Sequence, residues 1–186
     1  MLLPLAFAMA AQFTPQMRDG IADAHYVPAY SGEQRMQIVG KLLHLAKESN
    51  LQTTSLTPNA PFASNGAHLS FWKTSFVLGT PVGGEAGVNF WGLHTGGHIN
   101  VGFTASGTAA VLDCRLLGRV MHKLYVGAES EPREQAETPL DDGHLLVVLP
   151  PVTRGTPVSV ELWPVPADAT MGFLGCEIDT PVETNE

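Results

Sequence analysis

The sequence predicts an all-β protein, an antiparallel β-sandwich of jelly-roll type with about eight strands, preceded by a helical and extended N-terminal arm. Three observations carry this. Between residues 68 and 180, apolar runs of strand length alternate with glycine, proline and Asx turn signals. The segments between those runs are too short for the crossover helices of a parallel sheet. Upstream of them, one segment alone shows convincing helical spacing.

The arm comes first. Residues 1–30 carry Pro4, Pro15 and Pro28 and read as extended chain. The run Met1–Ala10 is apolar through Leu2, Leu3, Leu5, Phe7 and Met9. Ala8-Met9-Ala10 has the form of a signal cleavage site, but the run has no basic flank and is shorter than a normal signal. It is therefore read as a retained arm whose five large side chains bury against a partner subunit. Ser31-x-x-Gln34 matches a capping box, and Met36, Val39, Leu42, Leu43 and Ala46 recur at helical spacing, so a helix is expected over 32–49. Residues 51–67, with Pro58, Pro61 and Gly66, read as a linker that completes a 1–67 N-terminal region.

The sandwich is expected over 68–180, followed by an acidic tail at 181–186. Its predicted strands are His68–Leu78, Gly87–His94, His98–Thr104, Thr108–Leu116, Arg119–Val126, His144–Leu149, Pro157–Trp163 and Met171–Ile178. Turn signals at Gly83-Gly84, Gly96-Gly97, Ser106-Gly107, Asp142-Gly143 and Pro164-Val165-Pro166 separate them. The stretch Glu129–Asp142 is acidic and reads as a solvated loop; a calcium site on Asp141 and Asp142 lacks the ligand spacing of an EF-hand.

Charge narrows the partners. With 18 acidic against 10 basic residues and a net charge of −8, the chain repels a phosphate backbone, so nucleic acid is not expected as a partner. No apolar run reaches the roughly 20 residues of a membrane span. Cys114 and Cys176 form no CxxC; they read as two small buried residues, with pairing in an oxidising compartment as the alternative.

Chemistry-bearing patterns are few. His94-Thr95-Gly96-Gly97-His98 would bring two imidazoles together across a turn, as a divalent metal requires, but no adjacent third ligand follows; strand-end histidines are the simpler reading. G-x-S-x-G is absent, Ser106 sits in an ordinary Ser-Gly turn, and Gly83-Gly84-Glu85-Ala86-Gly87 lacks the Lys-Ser/Thr of a phosphate loop. No cofactor is expected. Trp72, Trp91, Tyr125 and Trp163 could form a sugar-stacking platform, although each lies in a predicted strand where core packing competes for large rings.

Four segments carry a family likeness: Phe103–Asp113, Lys123–Gly127, Leu140–Leu149 and Met171–Asp179. In that order they resemble the jelly-roll domain that precedes the catalytic domain in two-domain SGNH acetyl esterases, a galactose-binding-like sandwich. The resemblance spans about residues 90–180. It implies the fold and a non-catalytic role. The Gly-Asp-Ser nucleophile block of those enzymes does not occur here, so no esterase activity follows from it.

These readings favour a non-catalytic interaction subunit of a larger assembly, a virion or an organellar complex. Its partners would be protein subunits, including further copies of the chain, docked through the apolar arm. A secreted, extracellular carbohydrate-binding module is the alternative, with glycan as its partner, and a hydrolase fragment stands third.

Overall fold

The computed structural model describes residues 32–46, 49–58, 60–82, 85–92, 97–138, 144–167 and 169–182, with the backbone course alone over 74–92. The arm residues Leu2, Leu3, Leu5, Phe7 and Met9 lie outside this set, as do His94, Asp141 and Asp142. Two antiparallel sheets face one another. The sequence-predicted sandwich is therefore the observed architecture.

The chain enters through helix α1 (Gly32–Leu42) and then β1 (Leu51–Leu56). Strands β2 (His68–Trp72), β3 (Thr74–Val82), β4 (Glu85–Gly92), β5 (His98–Thr104), β6 (Ala110–Leu117) and β7 (Val120–Val126) follow. The remaining strands are β8 (Glu134–Thr138), β9 (His144–Leu149), β10 (Pro157–Pro164) and β11 (Thr170–Pro181). The first sheet runs β3-β4-β11-β6-β9, and the second runs β2-β5-β10-β7-β8. The long β11 pairs with β6 along one edge; along the other it pairs with β4 at Thr170–Phe173 and then with β1 from Cys176 onward.

Alternation builds the core. In β7, Val120, His122, Leu124 and Val126 are buried while Met121, Lys123 and Tyr125 are half-buried on the other face. Ile99, Val101, Val158, Val160 and Leu162 of the second sheet meet Leu112, Leu116, Leu145, Phe173 and Ile178 of the first. Cys114 and Cys176 are register partners on β6 and β11 and form a disulfide within this core. The simpler sequence reading, two unpaired buried thiols, is thus replaced by its alternative. Two positions matched across neighbouring strands bring their Cβ atoms within bridging reach, which linear spacing cannot reveal.

Four further expectations are corrected. The predicted strand His68–Leu78 is two strands: Lys73, at φ 44°, breaks the extended run, and the chain leaves the second sheet for the first. Residues 51–56, within the predicted linker, pair with β11, and residues 134–138, within the predicted solvated loop, pair with β7. Helix α1 stops at Leu42, and His44 takes a left-handed φ of 56°. Of its expected apolar stripe only Val39 is fully buried; Met36, Leu42 and Leu43 are half-buried and Ala46 is exposed. The other buried side chain of the helix is Arg35.

Candidate functional site

The two sheets present different outer faces. On the first, strands β6 and β11 place Asp113, Glu177 and Asp179 opposite the core-facing Leu112, Cys114, Cys176 and Ile178. All three carboxylates are buried. Arg35 reaches them from α1. Its Nε donates to Asp179 Oδ2 at 2.8 Å, one terminal nitrogen meets Glu177, and the other lies 3.7 Å from Asp113. Thr53 Oγ1 donates to Asp179 at 2.5 Å, and Ser55 Oγ donates to Glu177 at 3.1 Å. His144 Nδ1 lies 2.6 Å from Asp113 Oδ1. Burial pushes the Glu177 carboxyl above its ordinary range, Arg35 and Ser55 pull it back, and Asp179 and Asp113 raise it again. The Arg35 guanidinium, despite desolvation, is held more firmly charged by Asp179 first, then Glu177 and Asp113. Such a cluster clamps a helix: its carboxylates are engaged by Arg35, Thr53, Ser55 and His144. Among the described residues, no group of three or more His, Cys, Asp and Glu side chains is arranged to hold a metal ion.

Among the described residues, the outer face of the second sheet carries two exposed aromatic rings, Trp72 and Phe62, at its β2 edge. Strand register sets its side chains in rows running across the strands. One row is Trp72, His98 and Trp163, continuing to Met121. The next is Ser70, Asn100, Glu161, Lys123 and Gln135. The third is His68, Gly102, Ser159 and Tyr125, prolonged outward by Phe62, which bridges to His68.

In the first row the rings stand upright and stack side by side. His98 lies 4.5 Å from Trp163 at 18° and 6.4 Å from Trp72 at 9°. The Lys123 ammonium sits 4.1 Å from the Trp163 centroid, on the side away from His98, because β5 and β7 flank β10. Both faces of Trp163 are therefore covered. Trp72 stands on the edge strand, is 57% exposed and offers an outward ring face. Phe62, 77% exposed, does the same beside His68. His68, which Phe62 flanks, and Trp72 are four residues apart on β2, roughly 13 Å along the strand at 3.3 Å per residue.

Between the rings the face is polar. Glu161 accepts from Trp163 Nε1 at 2.9 Å, and its other oxygen lies 3.6 Å from His98 Nε2. Ser159 Oγ donates to Asn100 Oδ1. Partial burial, then Glu161 and its hydrogen bond, then Glu131 push the Tyr125 phenol upward, so it stays a protonated donor at neutral pH. Gly102 lets the His68 ring lie against the sheet: a Cβ there would come within 2.5 Å of that ring. A shallow groove of about 240 Å³ follows, lined by His68, Asn100, Gly102, Thr104 and Ser159 among others.

The structure brings together some expected residues and separates others. Trp72, Tyr125 and Trp163 share this face, outside the core that was expected to claim them. Trp91 is on β4 of the other sheet, and its side chain lies outside the described residues. His98, one of the two metal candidates, is a member of the ring row. The sequence reading missed Phe62, His68, Asn100, Lys123, Ser159 and Glu161. The signal for three of them, Asn100, Ser159 and Glu161, was the alternation within His98–Thr104 and Pro157–Pro164, which puts His98, Asn100 and Gly102, and Ser159, Glu161 and Trp163, on one face.

No protein-family model and no curated protein matches the sequence. Among solved structures, the chain is similar to the C-terminal CBM6 of LamC, a marine laminarinase from Zobellia galactanivorans. That match has 8% identity and a TM-score of 0.42 over 69% of this chain and 100% of that one. A carbohydrate-binding module of family 29 aligns at 14% identity and a TM-score of 0.39, over 70% of this chain and 90% of that one. The CBM36-1 domain of a multidomain xylanase from the hindgut metagenome of Trinervitermes trinervoides aligns at 12% identity and a TM-score of 0.40, over 73% and 100% respectively.

Proposed function

We propose that the protein is a carbohydrate-binding module whose ligand lies across the outer face of the second sheet. The observation that carries this is the pair of exposed rings, Trp72 and Phe62, on one edge of a face whose interior is lined by Asn100, Ser159, Glu161 and Tyr125. A pyranose has a C–H face that packs on an aromatic ring and hydroxyls that need both donors and acceptors. The upright ring row excludes stacking on Trp163, so the sugar face would meet Trp72 and its hydroxyls would turn inward to Glu161 and Asn100. The strand positions that set the two rings lie roughly 13 Å apart along β2, which suits a chain of sugars better than one.

The Cys114–Cys176 disulfide supports an oxidising, extracytoplasmic setting for this activity. The competing reading of an assembly subunit rested chiefly on arm residues that lie outside the described set, with the helical extension, the low charge and the missing catalytic motifs beside them.

The test is an array of neutral and acidic oligosaccharides, followed by titration calorimetry on the best ligand. Trp72→Ala should weaken binding about 10- to 30-fold, as losing a ligand-facing aromatic anchor worth roughly 1.4–2 kcal/mol does, with Tm unchanged. A wild-type protein that binds no glycan, or a Trp72→Ala protein that binds as well as wild type, refutes the proposal.

A further inference from the structure

At one end of the sandwich the sheets part around a cavity of about 210 Å³. It lies behind the second sheet, on the core side, so it is separate from the outer face that would take glycan. Its floor is the inner face of both sheets: Leu124, Val126, Leu149, Val158 and Ile178. Its rim is neutral and polar. Asn65 Nδ2 donates to Thr54 Oγ1 at 2.8 Å, and Ser106 Oγ lies 2.9 Å from Thr108 Oγ1. No Asp, Glu, Lys, Arg or His occurs among the described lining residues.

We infer that this cavity is a binding site for a small uncharged amphiphile, with its apolar body among the aliphatic side chains and a hydroxyl at the rim. Four considerations select that chemistry. A sugar would bury hydroxyls against Leu124, Leu149 and Ile178, where nothing pairs with them. A carboxylate or an amine would find no counter-charge among the described lining residues. An apolar cavity of about 150 Å³ is filled by a six-carbon ring, so one of 210 Å³ takes a body of about eight carbons. The rim hydroxyls and the Asn65 carboxamide can both donate to and accept from one alcohol group.

The test uses the full chain with 1-octanol as probe and octanoate as its charged counterpart, read by NMR titration of methyl resonances. Octanol should bind saturably, with intermolecular NOEs from its terminal methyl to Leu124 and Val158. Octanoate should bind at least 10-fold more weakly. Ala110→Leu, which adds bulk at a buried lining position, should weaken octanol at least 10-fold. If that variant does not fold, the wild-type NOEs decide. Trp72→Ala should leave octanol binding unchanged, which separates this site from the glycan face. Non-saturable octanol shifts, octanoate binding as tightly as octanol, NOEs only to surface residues, or full octanol affinity in folded Ala110→Leu would each overturn the inference.

Discussion

Replacing Arg35 with methionine should be among the most damaging single changes in the described part of the chain. Methionine keeps an unbranched stem and removes the guanidinium that faces Asp113, Glu177 and Asp179. All three are at most 3% exposed, so water cannot replace the lost cation. Breaking a buried ion pair from one side costs roughly 3–5 kcal/mol. The apolar contribution of the helix is smaller: Val39 is its one fully buried apolar side chain, and burying such a side chain gives about 1.5–3 kcal/mol. The ionic contact therefore decides whether α1 stays docked. For a chain of this size each kcal/mol moves Tm by about 2–4 °C, so Arg35→Met should lower Tm by roughly 6–20 °C at pH 7.5, with fast amide exchange throughout α1.

The pH dependence has a definite sign. Glu177 has its folded pKa raised above the ordinary value of about 4.5. Its contribution is fully present below that value and is lost as pH rises through the folded pKa. In the variant, with no guanidinium to hold charge on the carboxylates, this loss should deepen. The deficit relative to wild type should then be largest at neutral pH and shrink towards pH 5. Calorimetry of both proteins at the two pH values is the assay. A Tm shift under about 2 °C at pH 7.5, with α1 amides still protected, would show that the cluster does not hold the helix.

The remaining predictions concern the face, the cross-link and a control. Gly102→Ala should cost less than about 1 kcal/mol, because the half-exposed His68 ring can swing away, yet it should lower glycan affinity by filling the groove; fluorescence melting and calorimetric titration check the two effects separately. The disulfide closes a 62-residue separation, for which loop-closure entropy gives about 4 kcal/mol; a Cys114→Ala/Cys176→Ala variant should lose roughly 2–4 kcal/mol in urea unfolding, and an unchanged midpoint would contradict the cross-link. Arg119 pairs with Glu137 in water, with side chains 68% and 46% exposed, so Arg119→Ala should leave the calorimetric Tm within about 2 °C of wild type.

The sandwich was legible because its central strands must alternate, and their runs are bounded by residues that turn. Where burial imposes less pattern, sequence reading fails. Among the described strands β8 pairs only with β7, and Glu134, Gln135 and Glu137 are exposed, so its sequence looks like loop. β1 carries Gln52, Thr53 and Ser55, polar residues that an apolar-run search passes over. The break at Lys73 has no glycine or proline to announce it. The candidate face was partly legible: its aromatic residues stand out by type, but sorting them into inward and outward sets needs the register. Trp72 and Trp91 look equivalent in sequence and lie on different sheets. The acidic cluster did leave a trace. Asp113 sits within Val111-Leu112-Asp113-Cys114, and Glu177 and Asp179 flank Ile178, so acids alternate with core residues inside strongly apolar strands. A strand with charge at every second position and burial all round requires a cation from elsewhere.

Why the cover over the first sheet should be ionic follows from how little else holds it. A helix with Val39 as its one fully buried apolar side chain could slide or rotate at small cost, because dispersion contacts have no strong directional preference. A guanidinium fork does. Arg35 contacts carboxylates on two adjacent strands, Asp179 and Glu177 on β11 and Asp113 on β6, and a shift of one residue along either strand would point the fork at the core side. The arrangement is costly, since three carboxylates face one guanidinium and Glu177 is pushed towards its neutral form. An apolar replacement of the whole cluster could equal it in stability and would lose the register. Helix amide exchange is thus the sensitive readout for Arg35, more so than Tm. The same clamp fixes α1 over the β11–β6 face of the first sheet, while on the second sheet Trp72 stays exposed at the end of the row that it forms with His98 and Trp163.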